Sequence, residues 1–143
     1  MKTIVLRFSD SFAPKDGTLA EHQKMIKAFG HVWWGKRGPR ISQKVVREII
    51  NNGKGQVLLV RGGTKEKYWA TIEEISDGCP QRSMVPEYYR SDVAFYGSFL
   101  KIIDIKRADE NVLDNCFVCT TGAKMSDIIN KAMASYFIVD YRN

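Results

Sequence analysis

No apolar run in these 143 residues approaches the roughly 18 needed to cross a bilayer as a helix, which argues against a helical membrane protein. Cysteine is scarce and odd in number (Cys79, Cys116 and Cys119), which makes a poor disulfide framework. Cys116-Phe117-Val118-Cys119 has the CxxC form shared by zinc and redox sites. A structural zinc needs two more ligands, and only Cys79, His22 and His31 are on offer at scattered positions. A redox pair sits at a helix start, whereas this one lies among β-branched residues. Buried, reduced, non-ligand cysteines are the expectation, with no metal and no cofactor. Also missing are the GxxxxGK[ST] phosphate loop, the GxGxxG dinucleotide turn and the GxSxG elbow. The adjacent carboxylates Glu73 and Glu74 fall in a predicted strand, point to opposite faces and share no proton. The reading therefore leans away from an enzyme.

What remains is an ordinary globular composition, 44% hydrophobic and 27% charged, in a length that suits a single domain over residues 1–143. Met1 to Arg7 meets charge too early for a secretory leader, which sets the expectation of a cytoplasmic protein. The net charge of +6 is unevenly spread. Residues 1–64 hold 12 Lys and Arg against 4 Asp and Glu, a net of +8; residues 65–143 hold 10 against 12, a net of −2. The excess is densest at Lys36, Arg37, Arg40, Lys44 and Arg47. Such a field concentrates polyanions.

Periodicity outlines the elements. Ile4, Leu6 and Phe8 alternate along a first strand, Thr3 to Phe8. Thr18 opens a helix with Glu21 at capping-box spacing, and Leu19, His22, Met25, Ile26 and Phe29 make its apolar stripe up to Gly30. His31 to Trp34 reads as a short strand, and Gly35 to Arg40 as irregular. Ser42 caps a second helix with Val45, Val46, Ile49 and Ile50 inward. Val57-Leu58-Leu59-Val60 is apolar throughout, the pattern of a strand covered on both faces. After the Gly62-Gly63 turn, Lys67 to Ser76 completes a hairpin. Val93 to Lys106 reads as two strands or one bent at Gly97, and Asn115 to Thr120 as another. A third helix from Ser126 to about Ala134 and a strand from Tyr136 to Tyr141 close the chain. The fold class expected is α+β: a small, mixed, mostly antiparallel β-barrel with two or three flanking helices.

The most informative segment is His31 to Arg40, where two of three tryptophans are adjacent and Lys36, Arg37 and Arg40 follow. In extended chain Trp33 and Trp34 face opposite ways, so at most one is expected in the core and the other at a surface or cleft. With Trp69, next to Tyr68 in a strand, they supply aromatic faces for a flat base. Each such face contributes about 1–3 kcal/mol by stacking, and cations beside it suit phosphate. The bland alternative is that all three indoles are core anchors.

Three stretches resemble the PUA-like superfamily, and within it the EVE and YTH branch. Gly55-Gln56-Val57-Leu58-Leu59-Val60 followed by Tyr68-Trp69-Ala70-Thr71-Ile72-Glu73-Glu74-Ile75 is similar to the family's glycine-led hairpin. Phe99-Leu100-Lys101-Ile102-Ile103-Asp104-Ile105 resembles its next strand, and Thr120-Thr121-Gly122 with Phe137-Ile138-Val139 its ending. The resemblance implies an RNA or modified-nucleobase binder, of a type also found in prokaryotic defence proteins. It implies an aromatic pocket holding a flipped, often methylated base, with Trp33 or Trp34 and Trp69 as walls and Tyr68 adjoining. Ser98, Thr120 and Thr121 are candidates for the pocket floor, and Lys36, Arg37 and Arg40 for the phosphates. The expected partner is RNA or DNA, single-stranded or with an extruded base, and no membrane; oligomeric state is left open. Two rival readings stand beside it: a small hydrolase or nucleotide-processing enzyme using His31, Glu73 and Lys36, and a protein-interaction module anchored by exposed tryptophans.

Overall fold

A computed structural model describes residues 1–63 and 65–143. The order is β1 (Lys2–Phe8), α1 (Thr18–Phe29), β2 (Val32–Arg37), α2 (Gln43–Ile49), β3 (Gly55–Arg61), β4 (Lys67–Asp77), β5 (Tyr96–Arg107), β6 (Cys116–Val118), α3 (Met125–Ile128) and β7 (Tyr136–Tyr141). Tight 3-10 turns cover Arg82–Met84, Glu87–Phe95 and Val112–Asn115.

The four apolar residues Val57 to Val60 show how the molecule is layered. All are buried, and they alternate between two clusters: Val57 and Leu59 in one, Leu58 and Val60 in the other. β3 therefore runs through the middle of a sheet with apolar material on both faces, as its unbroken pattern requires. Its place in the strand order β2-β5-β4-β3-β1-β7-β6 is central. Every neighbouring pair is antiparallel except β1 with β3, so the mixed, mostly antiparallel α+β class holds.

The sheet is not a closed barrel. Its end strands β2 and β6 do not pair with one another among the described residues. It nevertheless curls strongly: β1 and β2 stand four places apart in the order, yet Phe8 and Trp34 meet edge to face with centroids 5.5 Å apart. Where a barrel would continue its hydrogen bonds, these two strand ends leave a gap. A close approach also shapes β5. A Cβ on Gly97 would run into the Gly38 carbonyl and lie 2.7 Å from the Arg40 amide, so only glycine lets the segment after β2 press against this strand. Gly97 is the second residue of one long strand, and the residues before Tyr96 form a 3-10 turn rather than a strand of their own.

Several sequence expectations shift for identifiable reasons. β2 extends to Arg37 despite Gly35 and the charges, because β5 pairs with it through Tyr96. The helix α1 starts at Thr18 without its capping box. Asp10 accepts from the Thr18 amide at 2.9 Å, and the Thr18 hydroxyl donates to the Ser9 carbonyl at 2.8 Å, so the cap comes from the preceding loop. Glu21 pairs with Lys24 instead, and Phe29 ends the apolar stripe 57% exposed. In α2 the Ser42 cap forms as read, accepting from Val45 at 3.3 Å. α3 is a single turn. Arg7 Nη1 draws in the carbonyls of Ala132 and Ala134, and Ser135 accepts from the Arg7 amide, pulling the chain out of helix toward β7. β6 is likewise three residues only, so Thr120 falls outside it. Cys116 is buried, its thiol pushed up to about 11 by desolvation, whereas Cys119 is exposed, against expectation.

Candidate ligand-binding cavity

The gap between the ends of β1 and β2 is a cavity of about 270 Å³. That is close to the low end of small-molecule sites, which run from roughly 300 to 1,000 Å³, and suits one planar ring system. Its apolar wall is aromatic: Phe8 from β1, Phe12 from the loop after it, Trp34 from β2, Tyr88 and Tyr89 from the 3-10 turn Glu87–Phe95, and Tyr96 at the start of β5. Phe12 is 86% exposed at the rim. Gly35 lies in the same wall, and a Cβ there would stand 2.8 Å from the Tyr96 ring, so glycine is what lets that ring close over the strand.

Trp34 owes its position to a buried polar chain. The His22 imidazole stacks on it at 3.9 Å between centroids, 27° from parallel. His22 Nδ1 is 2.8 Å from the Thr18 carbonyl, which only accepts, so Nδ1 carries the proton. Nε2 then accepts from the Tyr89 hydroxyl at 2.7 Å, and the Tyr89 oxygen accepts from the Gly35 amide at 3.2 Å. Three hydrogen bonds thus run from α1 through the 3-10 turn to β2. Burial holds His22 near pKa 4, and hence neutral, and raises the Tyr89 hydroxyl well above its ordinary value.

Every formal charge lining the cavity is positive: Arg7, Lys36 and Arg37 contribute, and no carboxylate does. Trp34 and Lys36 share a strand face at the two-residue repeat. The β2–β5 register shifts between Lys36 and Arg37, and this bulge re-aims Arg37 so that both neighbours reach the cavity. Lys36 Nζ donates to the Pro39 carbonyl at 2.7 Å and stands 4.5 Å above the Tyr136 ring; partial burial lowers its pKa. The Arg37 guanidinium lies 5.4 Å over Tyr96 and 6.0 Å over Phe95. None of the three cations forms an ion pair with a carboxylate among the described residues. Cations held without counter-charge around an aromatic hollow suit a flat ring bearing an anionic group.

The residues expected from sequence divide sharply. Trp34, Lys36 and Arg37 line the cavity. Trp33 does not, so of the pair it is Trp34, itself only 5% exposed, that takes the cleft position and Trp33 that lies in the core. It is 2% exposed on the opposite face of β2, in a separate cluster with Val85, Tyr89 and Phe99, because the segment carrying the first two folds over that face. Its indole donates to Gln81 at 2.9 Å. Trp69 packs against Tyr141 and the second core cluster, on the face of Leu58, and Tyr68 is core with its hydroxyl bonded to Glu66. Ser98 is fully buried and accepts from the Ile41 amide; Thr120 and Thr121 lie exposed in a turn. Arg40 is exposed beside Asp77 at 3.5 Å. The three residues of the hydrolase reading have separate partners: His31 bonds Gln81, Glu73 pairs with Lys101, and only Lys36 reaches the cavity.

Sequence reading missed Phe8, Phe12, Tyr88, Tyr89, Tyr96 and Arg7. Phe12 and the doubled Tyr88-Tyr89 did carry a signal, since large aromatics in segments of loop composition lack an amphipathic face to explain them. A family model described as Pua-like matches residues 4–135. Comparison with curated proteins and with solved structures found no match.

Proposed function

Because this chain belongs to the PUA-like family, whose members typically bind RNA or modified nucleobases, we propose that it is an RNA-binding module that seats one base in the cavity beside Trp34. The binding unit in this reading is the whole of residues 1–143. One observation carries the proposal: an aromatic hollow bordered by Lys36 and Arg37, two cations without carboxylate partners among the described residues. The base stacks on the aromatic wall, and the phosphate beside it meets the two cations. Extruding a base from a duplex costs a few kcal/mol, so single strands are the preferred form. The finer likeness to the EVE and YTH branch supports a methylated base as the guest, since a methyl group adds apolar surface suited to aromatic walls.

The test is a titration of single-stranded RNA, with and without one methylated base, and of the matching DNA. Trp34 is 5% exposed and stacked on His22, so replacing it threatens the fold as well as the site. Phe12→Ala avoids this, because Phe12 is 86% exposed. Loss of one stacking face costs about 1–3 kcal/mol, so Phe12→Ala is expected to bind RNA roughly tenfold or more weakly. Unchanged binding by Phe12→Ala and by Arg37→Gln overturns the proposal. Equal affinity for RNA and DNA refutes the choice of RNA, and indifference to methylation refutes the choice of guest.

A further inference from the structure

A second cavity, of about 310 Å³, adjoins the first and shares Arg7, Phe8, Ser9 and Ser135 with it. Its own lining comes from Gly62 and from the stretch Ala132 to Ala134. Arg7 stands at the junction. Its Nη1 donates to the Ala132 carbonyl at 2.7 Å and the Ala134 carbonyl at 3.3 Å, which fixes the guanidinium, while its Nε and Nη2 make no hydrogen bond among the described residues. No carboxylate pairs with it there either. Among the described residues five large apolar side chains are exposed (Met1, Phe12, Phe29, Phe95 and Met133), and two of them rim these cavities: Phe12 the first and Met133, fully exposed, the second. Two adjoining hollows, each with an apolar rim and with a half-used guanidinium between them, repeat the order base, phosphate, base.

We infer that the second cavity is a subsite for the nucleotide next to the seated base, with Arg7 binding the phosphate that links the two. The inference rests on the reading of the first cavity as a base site. The ligand it specifies is a strand of at least two nucleotides rather than a free nucleotide. Phosphate would occupy the free edge of the Arg7 guanidinium, where the parallel Nε–H and one Nη2–H suit two phosphate oxygens. Met133 offers a flexible, polarisable surface to the second base without selecting its identity.

The experiment compares a ribonucleoside monophosphate with a trinucleotide by calorimetric titration. One added stacked base and one added phosphate contact predict that the trinucleotide binds at least about tenfold more tightly. Gly62→Leu fills the second cavity from a residue that lines only that one. Its φ is not in the left-handed region, and the nearest atom to a Cβ there is the Phe8 carbonyl oxygen at 3.4 Å, so the substitution fits the backbone. Gly62→Leu is expected to bring the trinucleotide down to the monophosphate's affinity and leave the monophosphate unchanged. Met133→Ala is expected to lose part of the same increment. Equal binding of monophosphate and trinucleotide, or a full increment kept in Gly62→Leu, overturns the subsite alone. Failure of both ligands to bind overturns the base site beneath it.

Discussion

Acid is expected to loosen the wall behind the cavity through His22, and the size of the effect follows from its surroundings. The imidazole is 1% exposed, with Trp34 stacked on one face and both nitrogens engaged by Thr18 and Tyr89. Desolvation holds its pKa down to about 4 in the folded chain, partly opposed by the Thr18 carbonyl, while the unfolded chain keeps the ordinary 6.5. The unfolded state therefore takes up a proton that the folded state refuses. Stability is unaffected by this group above pH 6.5, falls as the pH drops from 6.5 toward 4, and stops falling below 4. At 1.36 kcal/mol per unit of pH, the full loss is about 3 kcal/mol, of which about 2 kcal/mol is gone by pH 5.

Urea unfolding of the wild type and of His22→Gln across this range isolates the effect. His22→Gln is less stable at neutral pH but has no imidazole to titrate, so the gap between the two proteins should shrink by about 2 kcal/mol on going to pH 5. Carboxylates act in a lower window. Glu66, held low by the Tyr68 hydroxyl and Arg61, and Asp140, held low by Arg142 and the N-terminal ammonium, lose their contributions only as the pH falls below their ordinary 4.5 and 3.8. A gap independent of pH between neutrality and pH 5 would refute the claim that His22 is buried neutral.

Other outcomes are as specific. Tyr89→Phe leaves His22 Nε2 without its donor and the Gly35 amide without its acceptor, at a cost of about 2–4 kcal/mol in urea unfolding; a loss well under 1 kcal/mol contradicts the chain of hydrogen bonds. Gly35→Ala places a Cβ 2.8 Å from the Tyr96 ring and is expected to lower RNA affinity together with about 1–3 kcal/mol of stability, as seen by titration and thermal melting. Lys36→Gln and Arg37→Gln should each flatten the dependence of log K on log salt by about 0.7 if each meets one phosphate; an unaltered slope argues against that contact.

The parts of the fold that could be read in advance are those where one residue's neighbours in sequence are also its physical environment. Val57 to Val60 announces a two-faced strand because each residue needs only apolar cover, whatever supplies it. The cations after the paired tryptophans were visible for the same local reason, and Trp34, Lys36 and Arg37 do meet at one cavity. What could not be read is which distant segment lies against which face. Trp33 and Trp34 are chemically identical neighbours; one joins a cavity wall and the other a core only because the segment carrying Val85 and Tyr89 folds over one side of β2. The capping box failed likewise, because Asp10 took the amide that Glu21 would have reached back to.

That dependence on distant segments also explains why the cavity is aromatic almost all round without any aromatic-rich motif in the sequence. Phe8, Phe12, Trp34, Tyr88 and Tyr96 come from five different elements, joined by the curl of the sheet and the loops at its ends. A site built this way depends on the His22–Tyr89–Gly35 chain, which ties α1, the 3-10 turn and β2 into one wall. Phe12 and Tyr96 line the cavity without being links in that chain, whereas His22 is a link and stacks on Trp34. Substitutions at His22 should therefore change affinity in proportion to the stability they remove, whereas Phe12→Ala should lower affinity at nearly constant stability. The contrast separates the scaffold of the pocket from its contact surface by measurement rather than by position in the sequence.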